Sequence, residues 1–543
     1  MGADDPPTET PSAPSGRWTA SLLVALVAAG AYAPTVRNGF VYDDARGVLE
    51  HPVVQATVPW SGALTHDFWG VRAGVGHSVG TWRPLVTLTF RALWSLGGAP
   101  WPFHLTEVLL HALASVLVFR VLGRRCSSPL AALVAAFVFA VHPLHSEAVA
   151  SVVGLADVAS FVGVLGALGL LFQPGPLAVA GGLGCALAAL LCKESAVVPL
   201  ALLPVLVALE EPSRWRAAVA RGAALAAVVG LFLAARLRVV GGLQGFAPDW
   251  LANPLVDAHG VGRVLCSLRL LGHAVSLHLV PLNFLPDHGR NTYVTLPSPT
   301  PDGLVALGVL VAVGLGVVIF KGRGRSPWAV GGLWFLVPAL PAVHLPVLLP
   351  IAFAERHWYL PSAGAALLAG EVAAWMAGRF GARWALPAWG LLVGLFGALT
   401  LQRGAEWGNE TTLFSSALAL EPDNAAMRFN LAAVLYNAGR LDDAARLCAG
   451  AAERVPEWSV PYGCLGSIAA DRGDLASAER HFQAMLRGRL PKLEFHLRYV
   501  RILLRQGRTE EARAILRGWH RRGVWTRETD RLWRRTRTTP SSG

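Results

Sequence analysis

Long apolar runs separated by short polar loops fill the first 402 residues of the 543-residue chain and limit what this part can fold into. About 11% of residues 1–402 are charged, against about 28% of residues 403–543. Because an ordinary soluble domain carries about 25% charged residues, the first part is not a soluble enzyme. The pattern predicts an all-α protein, with a membrane-embedded helical bundle at 18–402 and a water-soluble domain at 403–530. The ends at 1–17 and 531–543 are predicted to be disordered.

Twelve apolar runs are candidate membrane crossings, although several are shorter than the ~20 residues that span a bilayer. The run at 262–281 carries Arg263, Arg269, His273 and His278, which are unfavourable in a lipid-facing helix. Without it about eleven crossings remain, and the basic loops lie inside, as the positive-inside rule requires. The first loop, at 37–103, and the soluble tail are then both external. The twelve runs lie at about 18–36, 104–122, 130–144, 155–171, 177–192, 196–210, 217–236, 262–281, 303–320, 328–344, 359–377 and 384–401.

The net charge of +12 does not indicate nucleic-acid binding, because the excess is shared by both parts and forms no stripe interleaved with aromatic residues. The six cysteines include no CxxC pair, so neither a zinc site nor a disulfide framework is predicted. Of the 47 basic residues only three are lysine. This skew is typical of GC-rich coding and favours a bacterial source.

The tail repeats itself with a period of 34 residues. Gly439, Gly473 and Gly507 keep this spacing, and Ala444, Ala478 and Ala512 keep it too. A helix–turn–helix unit of 34 residues is the signature of the tetratricopeptide repeat. We predict three units at about 425–458, 459–492 and 493–525, preceded by a capping segment at 411–420. Such an array presents a concave surface to a peptide or partner protein.

Two adjacent carboxylates, Asp43 and Asp44, follow the first apolar run. One could act as a general base for an acceptor hydroxyl while the other orients it or tunes its pKa. A solvated acid pair is the simpler alternative. Later in the same loop, Arg83 precedes a proline, and an arginine at a membrane surface suits a phosphate group. A positive charge that merely marks the interface explains Arg83 equally well.

Further polar groups stand inside or beside the apolar runs, where they are costly unless they are used. His142 and His145 with Glu147 could in principle ligate a metal, but the spacing is not that of a zinc motif, and a hydrogen-bonded cleft is the preferred interpretation. On the predicted topology these groups share one side of the membrane with Asp43, Asp44 and Arg83, which indicates a site at that boundary. The remaining candidates are Asp157, Lys193, Glu194, Glu355, Arg356 and Tyr359.

Together these segments resemble the transmembrane and tetratricopeptide-repeat O-mannosyltransferase family. The resemblance covers nearly the whole chain, including the repeats. The segments that show the resemblance are FVYDD, WRPL, FAVHPLHSEAVASVVGLAD, CKES, the stretch at 236–242 with the later Asn253-Pro254, and AERHWYLPSAG. One departure is Gly154-Leu-Ala-Asp157, where the family usually reads GRAD, so a basic residue is missing beside this acid. The repeat array is also short.

The resemblance implies a GT-C-like glycosyltransferase that moves a sugar, mannose by analogy, from a polyprenyl-phosphate carrier to a hydroxyl of a protein. It implies that Asp43 is the base with Asp44 as its neighbour, and that Arg83 and Arg356 bind the donor phosphate. The implied cleft-lining residues are His142, His145, Glu147, Asp157, Lys193, Glu194, Glu355 and Tyr359.

The implied partners are the lipid bilayer, the lipid-linked donor and a protein acceptor or partner at the repeats, with no nucleic acid. No cofactor or metal ligand is assigned, although a divalent metal is compatible. The expected location is a bacterial inner membrane with periplasmic repeats, or an endoplasmic reticulum membrane with luminal repeats. Two other functions stay open: a non-catalytic membrane-anchored repeat scaffold, and a transporter of polyprenyl-linked sugars.

Overall fold

The computed structural model describes residues 14–73, 80–210, 215–242, 250–289, 292, 302–345, 347–521, 524 and 526–538. Across these residues every extended regular element is a helix, which confirms the predicted all-α class. Apolar residues form most helices of the first part, and several helices of the tail are amphipathic.

Fourteen helices build the membrane body in the described residues. Short 3-10 and π-helical turns connect several of them. The helices are α1 Pro14–Tyr32, α2 Pro84–Trp94, α3 Trp101–Leu117, α4 Pro129–Val141, α5 Ser146–Ala150, α6 Leu155–Leu171, α7 Pro176–Cys192, α8 Val197–Glu210, α9 Trp215–Val240, α10 Gly260–Leu279, α11 Gly303–Lys321, α12 Pro327–Ala342, α13 Tyr359–Phe380 and α14 Ala382–Glu406.

Seven of the described helical segments are long and apolar enough to cross a membrane, and they correspond to α1, α3, α6, α9, α11, α13 and α14. An eighth results if α4 and the bent segment Pro143–Ala150 form one span. The remaining predicted crossings correspond to α4, α7, α8 and α12, which are only 13, 17, 14 and 16 residues long. The prediction of about eleven thus counted short helices, which fall below the ~20 residues of a full span.

Close backbone contact joins α10 to α11 through two glycines. A Cβ atom on Gly272 would lie 1.9 Å from the Leu304 carbonyl oxygen, and one on Gly308 would lie 1.9 Å from that of Leu268. Small residues at such a crossing let two helices pack backbone to backbone. α10 is not among the helices apolar enough to span, and it is held against the body by this contact.

The tail forms eight further helices in the described residues, arranged mostly as helix pairs. After the first helix of each predicted repeat, Gly439, Gly473 and Gly507 have φ between +77° and +79°. Glycine adopts this left-handed conformation readily and ends a helix there. The helices are α15 Glu410–Leu420, α16 Ala425–Asn437, α17 Leu441–Arg454, α18 Ser459–Asp471, α19 Leu475–Arg487, α20 Leu493–Arg505, α21 Thr509–Arg521 and α22 Arg527–Thr538.

Three expectations about the ends and cysteines need correction. Residues 14–17 begin α1, and 531–538 belong to α22, whose Leu532 is buried among residues of α20 and α21. The rest of the predicted disordered ends lies outside the described residues. A disulfide links Cys448 and Cys464, because helices α17 and α18 pack together and bring the two thiols into contact.

The loop that follows α1 contacts both the end of α14 and the start of the repeat domain. The Asn38 side chain donates to the carbonyl oxygen of Gly404 in α14 at 3.0 Å, and the Gly39 amide donates to the Gly408 carbonyl oxygen at 3.1 Å. Tyr42 meets Phe414 of α15 edge to face, with ring centroids 5.7 Å apart. The repeats therefore lie on the same side of the body as Asp43.

Candidate active site

A tight turn presents Asp43 at the junction of body and repeats. The Asp44 amide donates to the Val41 carbonyl oxygen at 3.0 Å, and Tyr42 has a φ of +54°. Positive φ at the second position of such a turn is normally a glycine conformation. The side chain of Asp43 is 28% exposed, so this carboxylate is open to solvent.

Arg356 lies between two carboxylates. Its Nη1 donates to Glu147 Oε1 at 2.6 Å, and its Nη2 lies 3.5 Å from Asp43 Oδ2. Its backbone amide also donates to Glu147 Oε2 at 2.9 Å, which fixes the short helical turn before α13 against α5. Glu147 is fully buried, whereas Arg356 and Asp43 are partly exposed. The arrangement orients a guanidinium beside an accessible carboxylate.

Asp44 takes a different role from its neighbour. Its Oδ2 accepts the Val41 amide at 3.0 Å, and its Oδ1 accepts the Val153 amide at 3.0 Å and the Ser151 hydroxyl at 3.4 Å. Burial raises the pKa of Asp44 to about 7. The hydrogen bonds from the Val41 and Val153 amides lower this pKa but do not cancel the effect of burial. Asp44 ties the loop to the segment before α6 and does not face the accessible side.

Two further ion pairs lie near this group. Lys193, at the end of α7, donates to Asp157 in the first turn of α6, and both are buried. The sequence has no arginine two residues before Asp157, where the resembling family reads GRAD. Here Lys193 supplies a positive charge to Asp157 from the end of another helix. These charges interact electrostatically with Arg356 and Glu147.

Arg83 precedes α2 and pairs with Glu194 at 3.2 Å, with its guanidinium 4.8 Å from the centre of the Phe68 ring. Burial disfavours the charged form of Glu194 and raises its pKa. The nearby Arg83 guanidinium has the opposite effect, and the pKa of Glu194 lies below its usual value. The predicted phosphate ligand is thus already held by a carboxylate and an aromatic ring. It remains a candidate, because the Arg83 side chain is still 13% exposed.

Other predicted cleft residues lie in the core instead. The Tyr359 hydroxyl is buried and contacts His111 Nδ1 at 2.8 Å. Glu355 is buried and accepts the Leu285 amide at 2.6 Å, with Arg403 Nη2 3.6 Å away. Glu355 begins the short helical turn that also carries Arg356, and Tyr359 begins α13 directly after it. Arg356 is partly exposed, whereas both of these residues point inward.

His142 and His145 line an apolar cavity of about 490 Å³ between α4, α10, α11, α13 and α14. His278 and Ser362 add polar groups to its wall, and they are hydrogen-bonded to each other at 2.9 Å. His145 precedes Glu147 by two residues, and Ser362 follows Arg356 by six. Two residues of the cavity wall therefore lie close in sequence to Glu147 and Arg356.

Several residues near the site were not predicted from the sequence. Glu107 of α3 is fully buried and close enough to Asp44 and Asp157 to interact with their charges. An acid inside an apolar run was the available signal for it. Tyr42 and Phe414 carried no such signal, because their contact joins residues far apart in the chain.

No group of three or more histidine, cysteine, aspartate or glutamate residues in the described ranges is arranged to hold a metal ion. Within those ranges, His142, His145 and Glu147 are instead occupied by packing and by the Arg356 pair.

Known proteins resemble this chain in its repeats and over most of its length. Family models described as tetratricopeptide repeat match residues 411–461 and 465–523. Protein O-mannosyl-transferase Tmtc1 of Drosophila melanogaster is 28% identical over 507 residues, covering 76% of this chain and 59% of the relative. Protein O-mannosyl-transferase TMTC4 of Homo sapiens is 28% identical over 493 residues, covering 80% of this chain and 66% of the relative.

Over most of its length the chain is similar to proteins named protein O-mannosyl-transferase. Over a shorter stretch of 181 residues, identity to Protein O-mannosyl-transferase Tmtc2 of Drosophila melanogaster reaches 41%, covering 31% of this chain and 19% of the relative. The chain spans less than two thirds of the length of each of these O-mannosyltransferase homologues. The combination of apolar helices and repeats agrees with this relationship.

Proposed function

We propose that the chain is a multi-pass membrane glycosyltransferase of GT-C type. It moves a sugar, mannose by analogy with the relatives' names, from a polyprenyl-phosphate carrier to a serine, threonine or other hydroxyl of an acceptor. The observation that carries the proposal is the accessible Asp43 carboxylate beside the Arg356 guanidinium, at the junction of body and repeats.

Asp43 is the proposed base. It removes the proton of the acceptor hydroxyl while the hydroxyl oxygen attacks the anomeric carbon and the carbon–oxygen bond to the phosphate breaks. The sugar is transferred with inversion in one displacement. The carrier leaves as a phosphate, which needs no strong acid to protonate it.

Arg356 is the proposed phosphate ligand. Its shorter contact, at 2.6 Å, goes to buried Glu147, and its longer one, at 3.5 Å, goes to Asp43. When Asp43 gains the proton it loses its negative charge and its hold on Nη2. At the same moment the phosphate gains a negative charge, so the guanidinium is free to stabilise it.

The apolar cavity beside α4, α10 and α13 supports a lipid-linked donor. A hydrocarbon chain is stabilised by an apolar wall of this kind. Two polar residues of the wall, His145 and Ser362, lie two and six residues along the chain from Glu147 and Arg356. A soluble nucleotide-sugar would gain nothing from such a cavity.

The repeat domain is the proposed acceptor-binding part. A groove of about 380 Å³ on its inner helices is lined by Phe429, Tyr436, Asn437 and Phe495, which offer aromatic faces and an amide to a polypeptide. The Cys448–Cys464 disulfide supports an external location of the repeats, because disulfides persist in oxidising compartments. Asp43 then acts on the same external side.

The experiment is transfer in reconstituted vesicles with radiolabelled polyprenyl-phosphate mannose. Acceptor peptides rich in serine and threonine are compared with matched alanine peptides. We expect label in the hydroxyl peptides alone, and none from a soluble nucleotide-mannose. Absence of transfer from polyprenyl-phosphate mannose and from polyprenyl-phosphate glucose would contradict the proposal and favour a repeat scaffold.

A further inference from the structure

The residue before the proposed base has an unfavourable backbone conformation. Tyr42 has a φ of +54°, in the left-handed region that non-glycine residues seldom adopt. It occupies the second position of the turn closed by the Asp44 amide and the Val41 carbonyl oxygen. Strained positions of this kind persist only where the surroundings hold them.

The surroundings come from two parts of the molecule. Asp44 fixes the body side of the turn through its bonds to Val41 and Val153. Phe414 of the repeat domain fixes the other side, where it meets the Tyr42 ring edge to face at 5.7 Å. Phe414 is itself 2% exposed and packed in a cluster with Trp407, Leu413 and Ala417, so it is a rigid support.

The turn decides where Asp43 points. If Tyr42 relaxed to negative φ, the following peptide would rotate, and the Asp43 carboxylate would leave its position 3.5 Å from Arg356. We propose that Phe414 is a positioning residue: its contact with Tyr42 holds the left-handed turn that places Asp43 beside Arg356. The repeat domain then completes the active site as well as binding the acceptor. This inference rests on the proposed transferase function.

The consequence is that loss of the Phe414 contact lowers turnover even for an acceptor too small to reach the repeats. Binding of the donor, which involves the body, is unaffected. This separates positioning from acceptor binding, because a lost binding surface would raise KM for long acceptors only.

The test compares Phe414→Leu with Phe482→Leu, in reconstituted full-length protein with a short threonine peptide. Both variants replace a buried phenylalanine of the repeat domain, but Phe482 packs on Tyr499 far along the array. We expect Phe414→Leu to lower kcat roughly tenfold or more through misplacement of the base, with KM for the donor unchanged. Phe482→Leu should retain kcat. Equal kcat in the two variants would overturn the inference.

Rescue provides the second arm. Glycine adopts positive φ without support, so Tyr42→Gly should restore most of the turnover in the Phe414→Leu background. Tyr42→Gly alone should retain near-normal turnover. Failure of rescue, or loss of activity in Tyr42→Gly alone, would contradict a role through the turn.

A measurement that does not depend on turnover separates the positioning role of Phe414 from the proposed sugar transfer. The variant Asp43→Cys is labelled with a charged maleimide. The amount of label on the same chain without this new cysteine is subtracted, because the chain has other free cysteines. We expect the labelling rate to change in the Phe414→Leu background and not in the Phe482→Leu background. If the wild type transfers no sugar but the labelling rates differ as expected, the proposed function fails and the positioning contact stands. Identical labelling in both backgrounds would refute the contact.

Discussion

At the scale of single residues, Asp43 and Asp44 differ in what surrounds them. Asp43 is partly exposed beside Arg356, whereas Asp44 is fully buried and accepts backbone amides from two segments. Adjacent carboxylates on a turn point to different sides of the backbone. The pair therefore divides into an accessible acid and a structural one.

The raised pKa of Asp44 makes stability depend on pH. Its unfolded pKa is about 4 and its folded pKa is about 7, so the folded chain binds more protons between these values. The stabilising contribution is complete below pH 4 and is lost as the pH rises through 7. Between pH 5 and pH 8, the apparent Tm in detergent should fall more for the wild type than for Asp44→Asn. Parallel Tm curves would show that Asp44 is not the group that titrates.

Arg356 should require its guanidinium geometry and not only its charge. In Arg356→Lys one ammonium cannot contact Glu147, Asp43 and a phosphate as a planar fork does. We expect kcat to fall roughly 10²-fold, the order seen when one donor to a developing anion is removed. The exposed Arg37→Lys serves as control in the same vesicle assay, and similar rates in both variants would argue against phosphate binding by Arg356.

At the scale of helices, the α10–α11 crossing depends on the absence of side chains. Gly308→Ala would place a Cβ atom 1.9 Å from a backbone oxygen, whereas Gly316→Ala in the same helix meets nothing within 4 Å. We expect Gly308→Ala to lower the apparent Tm and the yield of monodisperse protein, because α10 must move away. Gly316→Ala should behave as wild type. Equal stability of the two would refute the close crossing.

The disulfide between α17 and α18 should stabilise the repeats. It closes a loop of 16 residues, for which the chain-entropy model gives about 3 kcal/mol. The double variant Cys448→Ser/Cys464→Ser should lower the unfolding temperature of the repeats, and the Cys126→Ser/Cys266→Ser control should not. Alkylation followed by mass spectrometry should find two more reactive thiols after reduction than before it. Full alkylation without reduction would contradict the bond.

At the scale of the whole molecule, the sequence predicted the order of parts because composition and period are local properties. The apolar runs indicated the helical body, and Gly439, Gly473 and Gly507 indicated the repeats. About eleven crossings were predicted, and seven or eight of the described helical segments are long and apolar enough to span a bilayer. The two numbers differ because apolar runs do not reveal that a helix such as α12 ends after 16 residues.

The candidate site was also predicted in part, because unusual residue types are a local property of the sequence. Unusual polar residues such as Asp43, Glu147 and Arg356 are visible in an apolar sequence, and the structure brings these three together. Which neighbour turns inward is set by the backbone, so Asp44 and Tyr359 were not distinguished from exposed groups. Contacts between the body and the repeats, such as Tyr42 with Phe414, depend on the tertiary fold alone.

The turnover of Asp43→Asn tests most directly whether Asp43 is the base for sugar transfer. Initial rates of mannose transfer from the polyprenyl-phosphate donor are measured in reconstituted vesicles, with Glu50→Gln, an exposed acid of the same loop, as matched control. We expect a fall in kcat of roughly 10²- to 10⁴-fold for Asp43→Asn, with an unchanged donor KM, and normal turnover for Glu50→Gln. Turnover of Asp43→Asn equal to that of the control would contradict it.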